Sequence, residues 1–438
     1  MSVADRSMGL GLKALNSLAG SELVDRIGLR KPAERLLYQT SRNGVRAAGA
    51  AGRTFSAASR LGRPARLSTV SSSGVFDLTP DDEQRMLRDT FRAFGREELR
   101  PRAQAADAAC EAPAELVAQA AELGLTMLGV PEELGGAVTE RSTVTAVLVT
   151  EALAHGDMGL ATAILAPAGV SSALALWGDA DQQATYLPPF VGSAVPAAAL
   201  AILEPRALFD PFALQATARR EAGGFVLDGV KALVPAAARA ELFLVAAQLE
   251  GQGPALFLVE SSAQGVFTRP EPAMGIRAAA TATLTLEDVE LPGIALLGGG
   301  DPAVFGACVH RARLAWCALA VGTAQAVLDH VIPYVNERKA FGEPISHRQA
   351  VAFAVSDIAI ELEGMRLTTW RAASLADQGK PFAKEAAIAR RLCANKGVAI
   401  GSRGVQLLGG HGYVKEYPVE RWFRDLRAIG VMEGGLLV

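Results

Sequence analysis

The sequence predicts an α+β protein that is mainly α-helical, built as a helical region, a central β region and a second helical region. Helical periodicity dominates residues 76–194, short apolar or alternating runs dominate residues 195–300, and helical periodicity returns in residues 301–438. Half of the 438 residues are hydrophobic but only 6% are aromatic. Ala, Leu and Val must therefore fill most of the core, which favours closely packed helices over a large sheet.

Residues 1–75 are predicted to be a basic N-terminal extension that is partly helical. They hold twelve Lys/Arg against four Asp/Glu, whereas the whole chain has a net charge of −3. Three interpretations compete: a mitochondrial transit peptide, a membrane-surface amphipathic helix, or an arm that docks on the protein's own body. Transit peptides are usually poor in acidic residues, so the four carboxylates argue against the first. We expect docking, with a flexible connector near residues 68–74.

Composition also excludes several classes of protein. A net charge of −3 argues against a dedicated nucleic-acid binder. No stretch reaches the roughly 20 uninterrupted apolar residues that span a bilayer, and residues 314–328 are better interpreted as a core helix. The four cysteines are scattered and the histidines lack ligand spacing, so we expect buried thiols and no metal site. Without a secretory signal, the expected compartment is the cytoplasm, with the mitochondrial matrix as the alternative.

The first helical region should begin within residues 79–82. Thr79 can cap the helix, Pro80 suits its first position, and the acidic residues that follow suit its first turn. Helical periodicity then continues to about residue 190. We expect breaks at residues 135–136, which are both glycine, and near Pro167.

The central region contains four short runs that read as strands, separated by Gly and Pro at regular intervals. They occupy residues 225–230, 242–245, 255–259 and 282–286. Such runs predict an antiparallel sheet or a small barrel. From residue 304 the helical period returns and persists almost to the end of the chain.

Three motifs in the last hundred residues carry a resemblance. They are NERKAFGEPISHRQ at 336–349, QLLGGHGY at 406–413 and RDLRAIGVMEGG at 424–435. Their order and spacing resemble the acyl-CoA dehydrogenase flavoenzymes, and residues 124–136 are similar to that family's N-terminal helical domain. The resemblance covers roughly residues 78–435. It implies an N-terminal helical domain, a central β domain and a C-terminal four-helix bundle.

The resemblance also implies a reaction and a base. Family members remove the α-proton of an acyl-CoA with a carboxylate and pass the β-hydrogen as hydride to flavin N5. Glu433 matches that carboxylate, and its apolar neighbours suit the raised pKa that such a base needs. Some relatives carry the base just before the residue that matches Arg313, but here that position is Ala312. Arg313 itself matches a family arginine near the substrate.

Six further residues match family positions that bind FAD. Arg338, Phe341 and Gln349 match residues that reach the flavin dinucleotide from a neighbouring subunit. A cation, an aromatic ring and an amide are suitable partners for it. The residues matching its adenosine end are Gln406, Gly409 and Gly410, whose glycines allow close approach. Because the flavin site would be shared, a homodimer or homotetramer is implied.

The chain departs from the family in the central region. The family's TEPGAGSD loop is LEPRALFD at 203–210, so both glycines and the serine are lost. The family's KxWITN strand, whose Trp covers the flavin and whose Thr contacts its N5 edge, is KALVPA at 231–236. Ile202 and Leu203 can still reach the flavin through backbone groups, and Arg206 is a candidate for a new phosphate contact.

The sequence therefore predicts an FAD-dependent acyl-CoA dehydrogenase that makes an α,β-unsaturated thioester and passes electrons to an electron-transferring flavoprotein. Two alternatives stay open. One is a non-catalytic or partner subunit of a heteromer, which lends Arg338 and Gln349 to the flavin of a sister chain. The other is a flavin monooxygenase or hydroxylase on the same fold. Retention of Glu433 speaks against both.

Overall fold

The computed structural model describes residues 79–136, 141–192 and 195–436. The predicted extension of residues 1–75, with its docking arm and connector, lies outside the described residues. Within the described residues the order is helices, sheet, helices, which confirms the predicted α+β, mainly α architecture.

The structure describes seven helices in the first region. They are α1 Asp82–Phe94, α2 Arg100–Ala109, α3 Ala114–Glu122, α4 Thr143–Gly156, α5 Met158–Trp177, α6 Ala180–Tyr186 and α7 Pro188–Val191. A π-helical turn, Gly95–Leu99, joins α1 to α2 without a break. α4 and α5 are buried almost all round, so they form the centre of this region.

The first helix is capped by Asp81 rather than by Thr79, so the predicted cap was wrong by two residues. Asp81 accepts a hydrogen bond from the Gln84 amide at 2.8 Å, and the Gln84 side chain accepts one from the Asp81 amide at 3.2 Å. This reciprocal pair satisfies two end amides at once. The residue three positions after Asp81 is Gln84, whereas the residue three positions after Thr79 is Asp82.

The predicted break near Pro167 was also wrong, because α5 continues through it. A proline removes one helical hydrogen bond at a cost of about 3 kcal/mol. The helix is apolar and buried along most of its length, and that packing outweighs the loss. The actual break lies at Asp157, which ends α4 and caps α5 by accepting from the Leu160 amide at 3.0 Å.

The central region is an eight-stranded sheet. Its strands are β1 Ala198–Ala201, β2 Thr217–Glu221, β3 Gly224–Val234, β4 Leu242–Leu249, β5 Gly253–Glu260, β6 Val266–Pro270, β7 Ala282–Pro292 and β8 Leu296–Leu297. The order is β6-β7-β3-β2-β4-β5-β8, with β1 beside β4. The four predicted strands are confirmed. Most pairs are antiparallel as predicted, but β1 and β2 run parallel to β4.

Alternation along β4 explains how the sheet serves two cores. Phe243, Val245 and Ala247 face a core enclosed by the strands themselves. Leu242 and Leu244 face the opposite way and join the main core with the helices. Successive strand residues point to opposite faces, so an apolar run such as this one is buried on both sides.

The last region contains the long helices. They are α8 Pro302–Glu337, α9 Gln349–Asp377, α10 Ala383–Leu408 and the short α11 Val419–Asp425, with a two-stranded hairpin of β9 Lys339–Ala340 and β10 Glu343–Pro344 after α8. Glycines allow close packing: a Cβ at Gly404 of α10 would lie 2.7 Å from Val327 of α8. The last of these helices, α11, has only seven residues. The N-terminal α4 packs closely on α8 at Gly322.

Two helices, α5 and α8, are long and apolar enough to cross a membrane by length and composition alone. In each, 67% of the qualifying 18-residue window is buried against the rest of the protein. Burial of this kind is typical of core helices, which agrees with the interpretation of residues 314–328.

The end of α11 joins the three regions. Arg424 forks onto both oxygens of Asp107 at 3.0 and 2.9 Å. Asp425 accepts from the Ile276 amide at 2.6 Å, and Arg421 pairs with the buried Asp157 at 2.8 Å. These contacts anchor the chain immediately before the turn that carries Glu433.

Asp425 gives a pH-dependent prediction. Burial raises its pKa to about 8, and the charge of Asp157 adds to the rise. The native state then holds a proton that the unfolded chain loses near pH 4, so stability should fall as pH rises from about 4 to 8. Asp425→Asn keeps an acceptor for the Ile276 amide but does not titrate, so the part of this pH dependence that comes from Asp425 should disappear.

Urea unfolding at pH 5 and pH 8 would measure the effect, with Asp181→Asn at an exposed site as the matched control. If Asp425→Asn and the wild type lose the same free energy of unfolding between these pH values, Asp425 is not the titrating group.

Candidate functional site

Glu433 lies in a buried turn a few residues after α11. Its side chain is only 6% exposed. Its φ of +57° is in the left-handed region, which a residue with a side chain adopts at a cost in free energy. Backbone strain at a buried carboxylate of this kind is typical of functional sites.

The two carboxylate oxygens of Glu433 have different surroundings. Oε1 accepts a hydrogen bond from the indole Nε1 of Trp316 at 3.2 Å. Oε2 is buried and has no hydrogen-bond partner in the described part of the protein. Burial raises the pKa of Glu433, against the Trp316 hydrogen bond and the charges of Arg390, Arg313 and Lys231. One oxygen is thus fixed, and the other is free to take a proton.

Two buried arginines hold the main chain of this turn. Arg313 donates from Nε and Nη2 to the carbonyl of Glu433 at 3.1 and 3.0 Å. Arg390 donates from Nη2 to the Met432 carbonyl at 2.8 Å and to the Gly434 carbonyl, and from Nη1 to the Gly435 carbonyl at 3.1 Å. Arg313 thus lies beside the predicted base, Glu433, and its guanidinium is hydrogen-bonded to the main-chain carbonyl of Glu433.

The loop between β1 and β2 closes the other side of the turn. The Phe209 carbonyl accepts from the Gly435 amide at 2.8 Å. Gly434 has φ +110°, and a Cβ there would lie 2.8 Å from Pro211 and 3.1 Å from Arg313 Nη2. Only glycine fits after Glu433, so the Glu-Gly dipeptide has a steric reason.

The predicted cross-subunit residues lie far from this turn within one chain. From Arg313 to Glu337, the last residue of α8, the helix rises about 36 Å at 1.5 Å per residue. Arg338 follows directly, and Phe341 and Gln349 lie between α8 and the start of α9. All three are exposed, Phe341 to 95%. No side chain spans such a distance, so these residues cannot complete the Glu433 site of their own chain.

The other predicted group lies at the end of α10. Gln406, Gly409 and Gly410 are exposed, and a Cβ at either glycine would meet nothing within 4 Å. Gly409 has φ +57° and ends the helix, as expected for a C-terminal glycine. The two glycines therefore leave an open backbone surface.

Three family models match the chain in the order of its three regions. The acyl-CoA dehydrogenase N-terminal domain matches residues 81–193, the middle domain residues 199–289 and the C-terminal domain residues 302–435. The chain belongs to the acyl-CoA dehydrogenase family. Family membership makes it an acyl-CoA dehydrogenase-like flavoprotein oxidoreductase of the class that acts on CH–CH groups.

Relatives and solved structures agree. The mitochondrial short-chain specific acyl-CoA dehydrogenase of Bos taurus is 36% identical over 381 residues, which cover 84% of this chain and 90% of that protein. Butyryl-CoA dehydrogenase from Megasphaera elsdenii has a TM-score of 0.77 and 27% identity, over 83% of this chain and 97% of that one. PigA with FAD and proline has a TM-score of 0.76 and 25% identity, over 82% and 96%.

The rewritten family loop at 203–210 is filled by its own side chains. Phe209 is buried, and the Arg206 guanidinium lies 5.3 Å over its ring. Arg206 also donates to the carbonyls of Asp210, at 3.2 Å, and Ala213. Its guanidinium is thus engaged within the loop. Leu208 takes φ +50° where the family has glycine, so a residue with a side chain adopts a left-handed backbone here at the cost of strain.

The backbone of Ile202 and Leu203 is partly used. The Ile202 carbonyl accepts from Lys231 Nζ at 3.3 Å, and the Leu203 carbonyl accepts from the Ala232 amide at 2.9 Å. Leu233 stands at the family's Trp position with φ +49°, and its amide donates to Glu271 at 2.7 Å. A leucine here offers an apolar surface to a flavin, and the proline at 235 offers no N–H or hydroxyl.

The residues nevertheless fit an FAD at both ends. Among the described residues Oε2 of Glu433 is buried and has no hydrogen-bond partner, which suits a base that takes a proton from a substrate beside the flavin ring. The exposed Arg338, Gln349 and Gln406, with open glycines beside Gln406, suit a dinucleotide shared between chains. The departures from the family lie in the loop at 203–210 and in the strand at 231–236. No cluster of metal-ligating side chains occurs among the described residues, and all four cysteines are free thiols.

Sequence reasoning missed two residues of the site. Trp316 lies three residues after Arg313, on the same face of α8, so helical spacing contained that signal. Arg390 lies on α10 among Ala386, Cys393 and Gly397, the apolar stripe of that helix. A cation on an apolar stripe signals a buried role, although not its partner.

Proposed function

We propose that this chain is an FAD-dependent acyl-CoA dehydrogenase that converts a saturated acyl-CoA thioester into its α,β-unsaturated form. The observation that carries the proposal is the buried Glu433 carboxyl. Its Oε2 has no hydrogen-bond partner among the described residues, and burial raises its pKa. FAD, when bound, supplies the acceptor for the β-hydride.

Glu433 would take the α-proton on Oε2. Burial makes the carboxylate a stronger base than one in water, which suits a weakly acidic C–H bond. The Trp316 indole holds Oε1, so the side chain keeps one orientation. Lys231, Arg313 and Arg390 place positive charge around the site, which offsets the negative charge that develops on the thioester as the proton leaves. We propose Arg313 as a neighbour of the substrate.

The FAD site would be shared between chains. Arg338, Phe341 and Gln349 of one chain would hold the flavin dinucleotide of the next, and Gln406, Gly409 and Gly410 its adenosine end. Ile202 and Leu203 would line the same-subunit side. The roughly 36 Å of helix between Arg313 and the end of α8 supports this division.

A homodimer or homotetramer is therefore proposed. Phe353, Ile360 and Leu367 are exposed on α9 at intervals of seven residues, 59%, 70% and 44% respectively. Seven residues are about two helical turns, so the three side chains form one apolar stripe, which a second copy can cover.

Replacement of Arg338 tests the cofactor assignment. Arg338→Met removes a cation that would bond the pyrophosphate, so the Kd for FAD should rise about 10- to 100-fold. Lys339→Met is the matched control, because Lys339 is the adjacent exposed cation and has no proposed role. Fluorescence titration of the apoprotein with FAD would measure both. Equal affinities in the two variants would remove Arg338 from the FAD site.

An electron-transferring flavoprotein is the proposed electron acceptor, since family members use one. We propose the cytoplasm as the compartment, with the mitochondrial matrix as the alternative, because relatives such as the Bos taurus protein are mitochondrial. A flavin monooxygenase has less support, because Glu433 is present and is buried, which raises its pKa.

A second candidate function is that of a partner subunit in a heteromer. The engaged carbonyls of Ile202 and Leu203, and Pro235 in place of the family Thr, favour it. Such a chain would lend Arg338 and Gln349 to the flavin of a sister chain and bind none itself. The Glu433 site would then have no reaction to perform.

The visible spectrum of the purified chain tests both. We expect about one FAD per chain, bleached without oxygen by an acyl-CoA. A panel of saturated acyl-CoA esters of increasing length covers the substrate class. A colourless oligomer that takes up no added FAD would overturn the dehydrogenase and support the partner subunit. Bound FAD that no acyl-CoA bleaches would contradict the proposed substrate.

A further inference from the structure

We propose that Arg390 is a positioning residue for this reaction, which holds the turn of Glu433 in the conformation that leaves Oε2 unpaired. The inference rests on the proposed function, since a base must exist before it can be positioned. Arg390 lies on α10, 43 residues before Glu433 in the chain. All hydrogen bonds from its side chain to the turn go to main-chain carbonyls of the turn.

The contacts of Arg390 are unusual for a buried arginine. Its side chain is 3% exposed, and in the described part of the chain no carboxylate lies within ion-pair distance of it. Its guanidinium donates to the carbonyls of Met432, Gly434 and Gly435 instead. Its Nε has no hydrogen-bond partner among the described residues, so the hydrogen bonds that offset burial of this charge all go to one turn.

Arg313 and Arg390 bind different carbonyls of the turn. Arg313 bonds the carbonyl of Glu433 itself, and Arg390 bonds the carbonyls on both sides of it. Four consecutive carbonyls, 432–435, thus accept from two buried guanidiniums. These bonds oppose relaxation of the left-handed backbone at Glu433, which would otherwise swing the carboxylate away from Trp316.

Charge adds to geometry. The charged and titratable groups that face Glu433 are Arg313 and Cys308 on α8, Lys231 on β3 and Arg390 on α10. Burial raises the pKa of Glu433, and the positive charge of Arg390 opposes that rise. Loss of Arg390 should therefore raise the pKa of Glu433 further and move the acidic limb of kcat to higher pH.

Three variants separate these effects. Arg390→Met removes both the hydrogen bonds and the charge, so kcat should fall on the order of 100-fold, with little change in KM and the acidic limb moved upward. Arg390→Lys keeps the charge but has one nitrogen in place of the two that reach these carbonyls, so kcat should fall while the acidic limb stays near its wild-type pH. Arg391→Met, at the neighbouring exposed position, should behave as wild type.

A second readout needs no substrate. Infrared difference spectra of the FAD-loaded protein between acidic and neutral pH should contain the carboxyl band of Glu433, assigned by its absence in Glu433→Gln. The titration of that band should move to higher pH in Arg390→Met and not in Arg391→Met. If no acyl-CoA reduces the wild type, the proposed reaction fails, yet this titration still decides the role of Arg390.

Wild-type kcat together with an unmoved carboxyl titration in Arg390→Met would overturn the proposal. If that variant does not fold, Arg390→Lys decides, and a lysine variant with wild-type kcat would overturn it as well. A fall in thermal stability without any change in kcat would mean that Arg390 is structural only.

Discussion

Replacing Glu433 by Gln should abolish bleaching of the flavin by acyl-CoA while the fold and the bound FAD are retained. General-base catalysis contributes about 10²- to 10⁴-fold, so the reductive rate should fall by at least that range. Gln keeps the shape and still accepts from Trp316, but it cannot take a proton. Anaerobic stopped-flow reduction at 450 nm would measure the rate, with flavin content measured on the same samples.

The same substitution should not destabilise the protein. The pKa of Glu433 is raised, so the native state holds a proton at pH values where the unfolded chain has lost it. Stability from this group is full below about pH 4 and is lost as pH rises through the native pKa. At neutral pH Glu433→Gln should therefore be more stable than wild type, by on the order of 1 kcal/mol, and the difference should vanish at low pH.

The matched control is Glu416→Gln, at an exposed position between α10 and α11. It should keep both the rate of flavin reduction and the free energy of unfolding. A Glu433→Gln enzyme that still bleaches at the wild-type rate would show that another group takes the proton. A large loss of stability at neutral pH would show instead that the carboxylate is a structural partner.

The sequence predicted the architecture well because its signals are local. Runs such as residues 242–245 and 255–259 are recognisable as strands from their own composition. Because they lack polar residues, burial on both faces could also be predicted. The errors were also local. Pro167 predicted a helix break, but packing against the surrounding helices keeps the helix continuous there. Thr79 was predicted to cap the first helix, but Asp81 caps it together with Gln84.

The candidate site also contains residues that the sequence predicts locally and residues whose contacts depend on tertiary packing. Glu433 could be proposed from the sequence because its motif is contiguous and follows Arg424 and Asp425, which anchor the turn. Arg390 was not found, because its role depends on α10 packing beside a turn 43 residues further along the chain. A sequence records which residue is charged, whereas the partner of a buried charge is set by tertiary packing.

Lys231→Met should be the most destabilising single change near the site. Lys231 is fully buried, and its Nζ donates to Glu204 Oε1 at 2.8 Å and to the Ile202 carbonyl at 3.3 Å. Burial lowers the pKa of Lys231 to about 8. Burial also opposes ionisation of Glu204, but the charge of Lys231 and two backbone amides hold the pKa of Glu204 below its usual value.

Removing the lysine leaves a buried carboxylate without its cation. The cost of breaking a buried pair in this way is about 3–5 kcal/mol, far more than for an exposed pair. Glu204 would keep the Gln215 and Ala216 amides, which are 2.8 and 2.9 Å away, but they do not neutralise its charge. The loop that Glu204 fixes is also the loop whose Phe209 carbonyl accepts from Gly435, so loosening it should weaken the Glu433 turn.

Removing both charges together distinguishes this account from simple loss of packing. Lys231→Met with Glu204→Gln keeps an acceptor for the amides and leaves no buried charge, so much of the lost stability should return. Lys339→Met, which truncates an exposed lysine, should change the free energy of unfolding by less than about 0.5 kcal/mol. If the double variant is as unstable as Lys231→Met alone, the lysine acts through its methylene chain rather than its charge. The buried pair would then be a consequence of the fold rather than one of the contacts that hold the base in place.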